Sequence, residues 1–353
     1  MNHSSAEAFS ASLNKDATYS SPWAQWSLVP RLGLGLMGTT GIYGAPRTND
    51  ETFELLDAAF ERGEIFWDTA DKYGNSEDVL GAWFAANPEK RKDVFLATKF
   101  GFTDMVGGKI QVDTTPEYAQ AALEKSLKRL GLPFVDLYYV HRLDKVTPIE
   151  KTMKALVELK DAGKVKHIGL SECSAETLRR ACAVHPVACV QIEYSLSCME
   201  IEWPKWKLLE TARELGVAIV AYSPLGNGLV TSRIRSREDV SKPGDRRGNL
   251  PWLREDNIKT NLSILDRVGE IAKAKNATSA QLCLAWLLAQ GDDIFPIPGS
   301  SKISRLDENL GSLLIRLSSE EEKELRQLGQ SFLVERFQNM TGFAFGDTPA
   351  LEE

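Results

Sequence analysis

The sequence has no apolar run able to cross a bilayer. Its most apolar late stretch, Leu282-Cys-Leu-Ala-Trp-Leu-Leu-Ala289, is far short of the ~20 residues that a span needs. Residues 1–21 are rich in Ser, Ala and Asn and lack the apolar centre of a secretory signal, and the final Leu351-Glu-Glu carries no lipidation or retention motif. A cytoplasmic protein without membrane contact is therefore expected. Basic excess is missing too: 42 Lys and Arg stand against 49 Asp and Glu, a net charge of −7, which argues against nucleic acid as a partner. The five cysteines (Cys173, Cys182, Cys189, Cys198, Cys283) are odd in number and form no CxxC pair, so reduced thiols are expected rather than a disulfide framework. Four histidines offer no ligand cluster, and no metal is called for.

What is present suits a large soluble domain. With 43% hydrophobic and 26% charged residues the chain can bury a substantial core, and disorder is expected only at its ends. Its 353 residues allow one large domain or two ordinary ones. Eight β-rich apolar runs decide between them: 32–36, 65–68, 94–98, 134–141, 165–171, 188–193, 218–222 and 294–296. Amphipathic stretches separate them. Thr48-x-x-Glu51 predicts a capping box ahead of Phe53, Leu55, Leu56 and Ala59. Thr115-Pro116 predicts a helix start whose apolar positions Ala119, Ala122, Leu123, Leu127 and Leu130 recur at helical spacing, with Gly131 and Pro133 ending it.

Several strands are nearly unbroken apolar runs, as expected of parallel strands covered on both faces. Eight strand–helix units predict a closed (β/α)₈ barrel spanning 31–317, with an N-terminal extension at 1–30 and a C-terminal helix and tail at 318–353. The competing fold is an open doubly wound sheet, since Gly33-x-Gly35-x-x-Gly38 matches a phosphate-loop pattern. Those glycines begin inside the first strand, and no helix starts before about Thr48, so the barrel is preferred. A long loop is expected after strand seven, at 225–257. Between Thr231 and Arg254 it carries seven basic residues (Arg233, Arg235, Arg237, Lys242, Arg246, Arg247, Arg254) against three acidic ones. It is either a solvated loop or a flap over a phosphorylated ligand.

Barrel chemistry gathers at the C-terminal strand ends. Strand two ends in Asp68, with Tyr73 in the loop after it; strand three reaches Lys99; strand four reaches His141. Singly, each has a structural explanation as a cap, a packing residue or a solvated strand end. Their coincidence at three successive strand ends predicts a catalytic constellation.

The sequence resembles the aldo-keto reductase superfamily in six ordered motifs: Trp67-Asp-Thr-Ala-Asp-Lys-Tyr-Gly74, Ala97-Thr-Lys99, Asp136-Leu-Tyr-Tyr-Val-His141, Ile168-Gly-Leu-Ser171, Ala221-Tyr-Ser-Pro-Leu-Gly226 and Pro296-Ile-Pro-Gly-Ser-Ser-Lys302 with Glu308-Asn309. Gly33-Leu-Gly-Leu-Met-Gly38 and Gly169-Leu-Ser-Glu172 look most like the microbial and plant branch with pyridoxal reductases and perakine reductase.

The resemblance implies a barrel that binds NADPH/NADP+ and reduces an aldehyde or ketone. Tyr73 would be the proton donor, Lys99 would favour the phenolate left behind, Asp68 would hold Lys99 in place, and His141 would orient the carbonyl. It implies nicotinamide contacts from Ser171, Gln191 and Tyr222, and pyrophosphate contacts from Ser223, Leu225 and Gly226. Ser300, Lys302 and Arg305 match a 2′-phosphate site, and Glu308 and Asn309 match adenine contacts. Glu172 departs from the Asn common in the superfamily, and Gly299 from a frequent Lys. Two other readings stay open: an NADP(H)-binding regulatory subunit with incidental turnover, and a Schiff-base lyase with Lys99 as nucleophile. Tyr43, Phe102 and Trp252 are expected either to line the mouth for a bulky carbonyl substrate or to pack between loops. The expected partner is a small molecule, with no obligatory protein partner.

Overall fold

The computed structural model describes residues 29–103, 110–334 and 342–352. The expected N-terminal extension, including Trp23 and Trp26, lies almost wholly outside them. Eight parallel strands follow in chain order: β1 (Leu34–Gly35), β2 (Phe66–Asp68), β3 (Phe95–Phe100), β4 (Val135–Val140), β5 (Val165–Ser171), β6 (Cys189–Glu193), β7 (Ala218–Tyr222) and β8 (Ile294–Pro296). The sheet closes on itself. The Gly33 and Gly35 amides donate to the carbonyls of Pro296 (2.9 Å) and Pro298 (3.3 Å), and Gly35 bridges Gly299.

Helices alternate with the strands: α1 (Asn49–Glu61), α2 (Ser76–Ala86), α3 (Pro116–Leu130), α4 (Ile149–Asp161), α5 (Ala175–Val184) and α6 (Leu208–Leu215). Two more, α7 (Glu255–Ala274) and α8 (Ser279–Leu288), lie between β7 and β8, and α9 (Ile303–Gly311) and α10 (Ser319–Gln330) follow β8. Local signals explain their ends. Thr48 and Glu51 form the reciprocal capping box of α1, while Thr115 caps α3 and Gly131, at φ +63°, terminates it.

Strand periodicity divides the core into two shells. Phe66, Ala97, Leu137, Tyr139, Cys189, Ala218, Val220 and Phe295 fill the barrel, whereas the alternate residues Trp67, Leu96, Tyr138, Ile168, Val190 and Ile219 pack outward under the helices. The glycines of the phosphate-loop pattern serve closure instead. A Cβ on Gly33 would lie 2.6 Å from the Phe66 ring, and one on Gly35 2.8 Å from the Ile297 carbonyl. That crowding explains the glycines at 33 and 35; β1 itself is two residues long rather than the five expected.

Other boundaries shift. β3 runs on to Phe100, so Lys99 lies inside the strand, and Gln191 lies two residues before the end of β6. Helix α7 begins at Glu255, three residues before the expected start. Residues 223–254 hold four short 3₁₀ turns, at Gly226–Thr231, Glu238–Val240, Arg246–Asn249 and Pro251–Leu253. None of the five cysteines forms a disulfide, and burial pushes the thiols of Cys173, Cys189 and Cys283 far above their usual range, which makes these three inert packing groups. Among the described residues, no helix is long and apolar enough to cross a membrane.

One barrel contact offers a direct check. Gly169 faces Tyr139 so closely that a Cβ would meet the ring at 2.6 Å. Gly169→Ala is expected to cost about 1–3 kcal/mol through overpacking, read as a lower midpoint in urea unfolding. An unchanged midpoint would mean that the barrel interior is not close-packed at this layer.

Candidate active site

The C-terminal strand ends converge on one mouth. Its backbone is fixed first: the Thr69 amide donates to the Ala97 carbonyl and the Asp71 amide to that of Lys99, which ties the β2–α2 loop to β3 and sets Tyr73 over Lys99. The Lys99 ammonium lies 4.9 Å from the Tyr73 ring centroid. It donates to Asp68 Oδ1 at 2.5 Å and to the Thr69 carbonyl at 2.8 Å, while the Gln191 amide donates to Asp68 Oδ2 at 2.7 Å.

Lys99 and Asp68 are both fully enclosed. Burial alone disfavours the ammonium, but the Asp68 carboxylate and Tyr73 outweigh it, and Lys99 is held above its ordinary value. Burial pushes Asp68 upward against the opposing pull of Lys99 and Gln191. The direction that governs the site is that of Lys99, a permanently charged ammonium. A Schiff-base nucleophile needs a neutral, free amine, so this environment is unsuited to the lyase reading.

His141 follows β4. Its ring meets Tyr73 edge-on at 5.7 Å and Phe102 at 4.7 Å. Burial, with the nearby Arg142 and Lys99 charges, holds its pKa well below the usual imidazole value, so the ring is neutral. Its Nδ1 is buried without a partner. An N–H there would be an orphaned donor, which places the proton on Nε2.

A cavity of about 970 Å³ extends from this floor, bordered by Asp68, Tyr73 and His141 at one end and by Arg305, Glu308 and Asn309 at the other. Tyr222 lines it and donates its hydroxyl to Glu172 Oε1 at 2.8 Å. Glu172 sits at φ +53°, a left-handed conformation uncommon outside glycine, with Oε1 also accepting from the Glu193 amide. Ser223, Leu225 and Gly226 line the same groove.

A model of the aldo/keto reductase family matches residues 31–330. The chain belongs to that family. The aldo-keto reductase str7 of Strobilurus tenacellus is 47% identical over 309 residues, 86% of this chain and 90% of its own length. The aldo-keto reductase yakc [NADP(+)] of Schizosaccharomyces pombe is 45% identical over 302 residues, 85% and 88% of the two chains. Among solved structures, the thermostable aldo-keto reductase Tm1743, determined with the inhibitor epalrestat, aligns at 31% identity and TM-score 0.67, over 85% of this chain and 95% of its own. The glycerol dehydrogenase AKR11B4 of Gluconobacter oxydans aligns at 25% and 0.75, over 92% and 95%. The eight-stranded parallel sheet with alternating helices is thus the (β/α)₈ barrel of this aldo/keto reductase, an oxidoreductase acting on carbonyl compounds.

The predicted site residues fall into two groups in this aldo/keto reductase. Asp68, Tyr73, His141, Gln191, Tyr222, Ser223, Leu225, Gly226, Arg305, Glu308 and Asn309 border the cavity, as do Tyr43, Phe102 and Trp252. Lys99 lies beneath its floor. Ser171, Ser300 and Lys302 stand apart from the lining: Ser171 accepts from Arg142, Ser300 is bonded to the Lys302 backbone, and the Lys302 side chain is exposed.

The far end suits an anionic group. Burial and the Arg233 and Arg247 charges push the Arg305 guanidinium below its usual value, so these cations crowd one another beside the first turn of α9. Much of the positive charge of segment 231–254 is matched within the protein. Arg233 pairs with Glu308, Arg235 with Asp266 (2.9 Å) and Arg247 with Asp245 (2.6 Å). Tyr43 ties the segment after β7 to the β1 loop, donating its hydroxyl to Asn227 Oδ1 at 3.1 Å and pairing through its backbone with Asp245. Burial pushes its hydroxyl up to about 12, so it remains a donor.

Sequence reasoning missed Arg142, although it directly follows the motif that ends in His141, and Glu193, the inward residue ending β6. The tail from 332 onward was expected either to reach the rim or to fray; within it the Phe343 ring meets Phe102 at 6.3 Å.

The neutral imidazole has a thermodynamic signature. Below pH 6.5, the ordinary value, the unfolded chain takes up a proton that buried His141 refuses, so this group makes stability fall as pH falls. The stability of wild type relative to His141→Gln is expected to decline by up to about 1.4 kcal/mol per pH unit below that point. Paired urea titrations at several pH values measure it; a pH-independent difference would contradict a neutral His141.

Proposed function

We propose that the chain reduces the carbonyl group of a small aldehyde or ketone to an alcohol, with Tyr73 as proton donor. The observation that carries this reading is the placement of Tyr73 between a charged, buried Lys99 and a neutral His141 at the floor of one cavity. The cofactor is NADPH/NADP+, which supplies or accepts the hydride at the carbonyl carbon when bound.

The chain's own residues do the remaining work. His141 donates from Nε2 to the carbonyl oxygen, drawing electron density onto it and fixing its position. Tyr73 delivers its proton to that oxygen as negative charge develops there. The Lys99 ammonium stabilises the phenolate that remains, and Asp68 with Gln191 prevents Lys99 from moving. Solvent reaching the open cavity returns the proton to Tyr73. Tyr222 and Gln191 bound the nicotinamide position, Ser171 contributes through its strand end, and Ser223, Leu225 and Gly226 receive the pyrophosphate. Arg305, with Ser300 and Lys302 at the start of α9, takes the 2′-phosphate; Glu308 and Asn309 take adenine. Phe102, Tyr43 and Trp252 bound the substrate. In this reading 31–317 is the barrel, 318–353 an appended helix and tail, and the segment after β7 a flap over the cofactor.

Tyr73→Phe tests the proton step. Reduction of small aldehydes, followed as NADPH oxidation, is expected to fall about 10²–10⁴-fold. NADPH affinity, read by fluorescence, is expected to stay within about two-fold because the phenyl ring remains. Activity retained within a few-fold would remove Tyr73 from the mechanism. No turnover by wild type across a broad aldehyde panel would instead favour an NADP(H)-binding regulatory protein.

A further inference from the structure

Among the described residues, two Lys or Arg side chains are buried: Lys99 and Arg142. Lys99 has the Asp68 carboxylate. Arg142, 6% exposed, has none. Its Nη1 donates to the His141 carbonyl at 2.6 Å and to Ser171 Oγ at 3.1 Å, both neutral acceptors. Its Nε is buried without an acceptor. Nε is sealed within the protein, whereas Nη2 makes no hydrogen bond and is not sealed. The Glu172 carboxylate, at the mouth of the adjoining strand, receives the Tyr222 hydroxyl and the Glu193 amide.

Several half-buried cations do have a carboxylate: Arg91 pairs with Asp136, Arg129 with Glu77 and Arg247 with Asp245. An unpaired buried charge is costly, and folding gives no reason to retain one here. Arg142 borders the catalytic cavity next to His141, so a ligand can supply the missing charge. The flanking surfaces narrow the ligand's shape. The Phe102 and Tyr222 ring centroids lie 5.8 and 5.9 Å from Arg142 Cζ, so aromatic rings flank the guanidinium and leave Nη2 to meet an oxygen of a carboxylate.

We propose that Arg142 determines specificity by receiving the carboxylate of the substrate, so that the preferred substrates are carbonyl compounds that also carry an acid group. The inference rests on the reductase reading, since it is the carbonyl at Tyr73 and His141 that sets where the second group falls. A neutral ketone of equal size leaves the Arg142 charge unmatched and binds less tightly.

The test uses the full chain loaded with NADP+ and calorimetric binding of 2-, 3- and 4-carboxybenzaldehyde beside their methyl esters. NADPH oxidation with the same compounds is followed in parallel. At least one acid is expected to bind about 10-fold or more tightly than its ester, the range of a charge-assisted hydrogen bond. Arg142→Gln should abolish that preference while ester and NADP+ affinities stay within about two-fold, and Arg142→Lys should retain part of it. Absence of acid preference in wild type for all three isomers overturns the proposal. Equal loss of acid, ester and NADP+ binding in Arg142→Gln also overturns it, by assigning Arg142 to the cofactor or the fold. Acid preference without NADPH oxidation sinks the reductase reading alone and leaves the carboxylate site standing.

Discussion

The enclosed ion pair of Lys99 and Asp68 is the constraint on which the mouth of this barrel depends. Removing two charges from water costs several kcal/mol per ion, and attraction repays this only when geometry and further hydrogen bonds are good. Here the Thr69 carbonyl and the Gln191 amide supply those bonds. Parallel pairing of β2 with β3 sets Asp68 opposite Ala97, two residues from Lys99 on the same inward face. The pair therefore exists only if strand register is correct. A slip of one residue would turn the inward set outward and leave both ions without partners. Register, rather than any loop, carries the precision of the site.

That dependence explains what the sequence disclosed. Asp68, Lys99 and His141 were legible because barrel topology makes strand ends coincide in space, so residues distant in sequence could be read as neighbours. Tyr73 was legible as a loop residue close behind the Asp68 strand end, but its exact position comes from backbone bonds between the β2–α2 loop and β3. The helix signals at Thr48–Glu51 and Thr115–Gly131 worked because caps are local chemistry. The first strand was overextended because its glycines look like ordinary strand residues in sequence; in space Gly33 and Gly35 are pressed against Phe66 and Ile297, and closure replaces regular pairing. Sequence also could not reveal that Ser300 spends its hydroxyl on the Lys302 backbone, or that Ser171 accepts from Arg142. Such partners are chosen by tertiary packing.

The basic flap gives a similar lesson about charge. An excess counted along 231–254 implied a field available to a phosphate. Folding distributes it: Arg233, Arg235 and Arg247 each acquire a carboxylate, two of them on other elements, α7 and α9. These pairs are partly exposed and individually worth little stability. Their main consequence is positional, since they fasten the segment across the groove. The crowding felt at Arg305 concentrates the remaining positive potential at one end of the cavity.

The two buried cations divide the labour of the mouth. Lys99 is neutralised by the protein, so its charge is stable whether or not a ligand is present and can support a proton donor throughout a reaction cycle. Arg142 is left for the ligand, so its electrostatic cost is relieved only on binding. Burial keeps the His141 imidazole neutral and both charges add to that effect, which suits a hydrogen-bond donor at a carbonyl oxygen. If Arg142 had an internal carboxylate, its effect on His141 would weaken and its affinity for an anion would be lost together. The Arg142 guanidinium thus adds to what burial already imposes at the reacting end, while its own charge is matched by the group that fills the other.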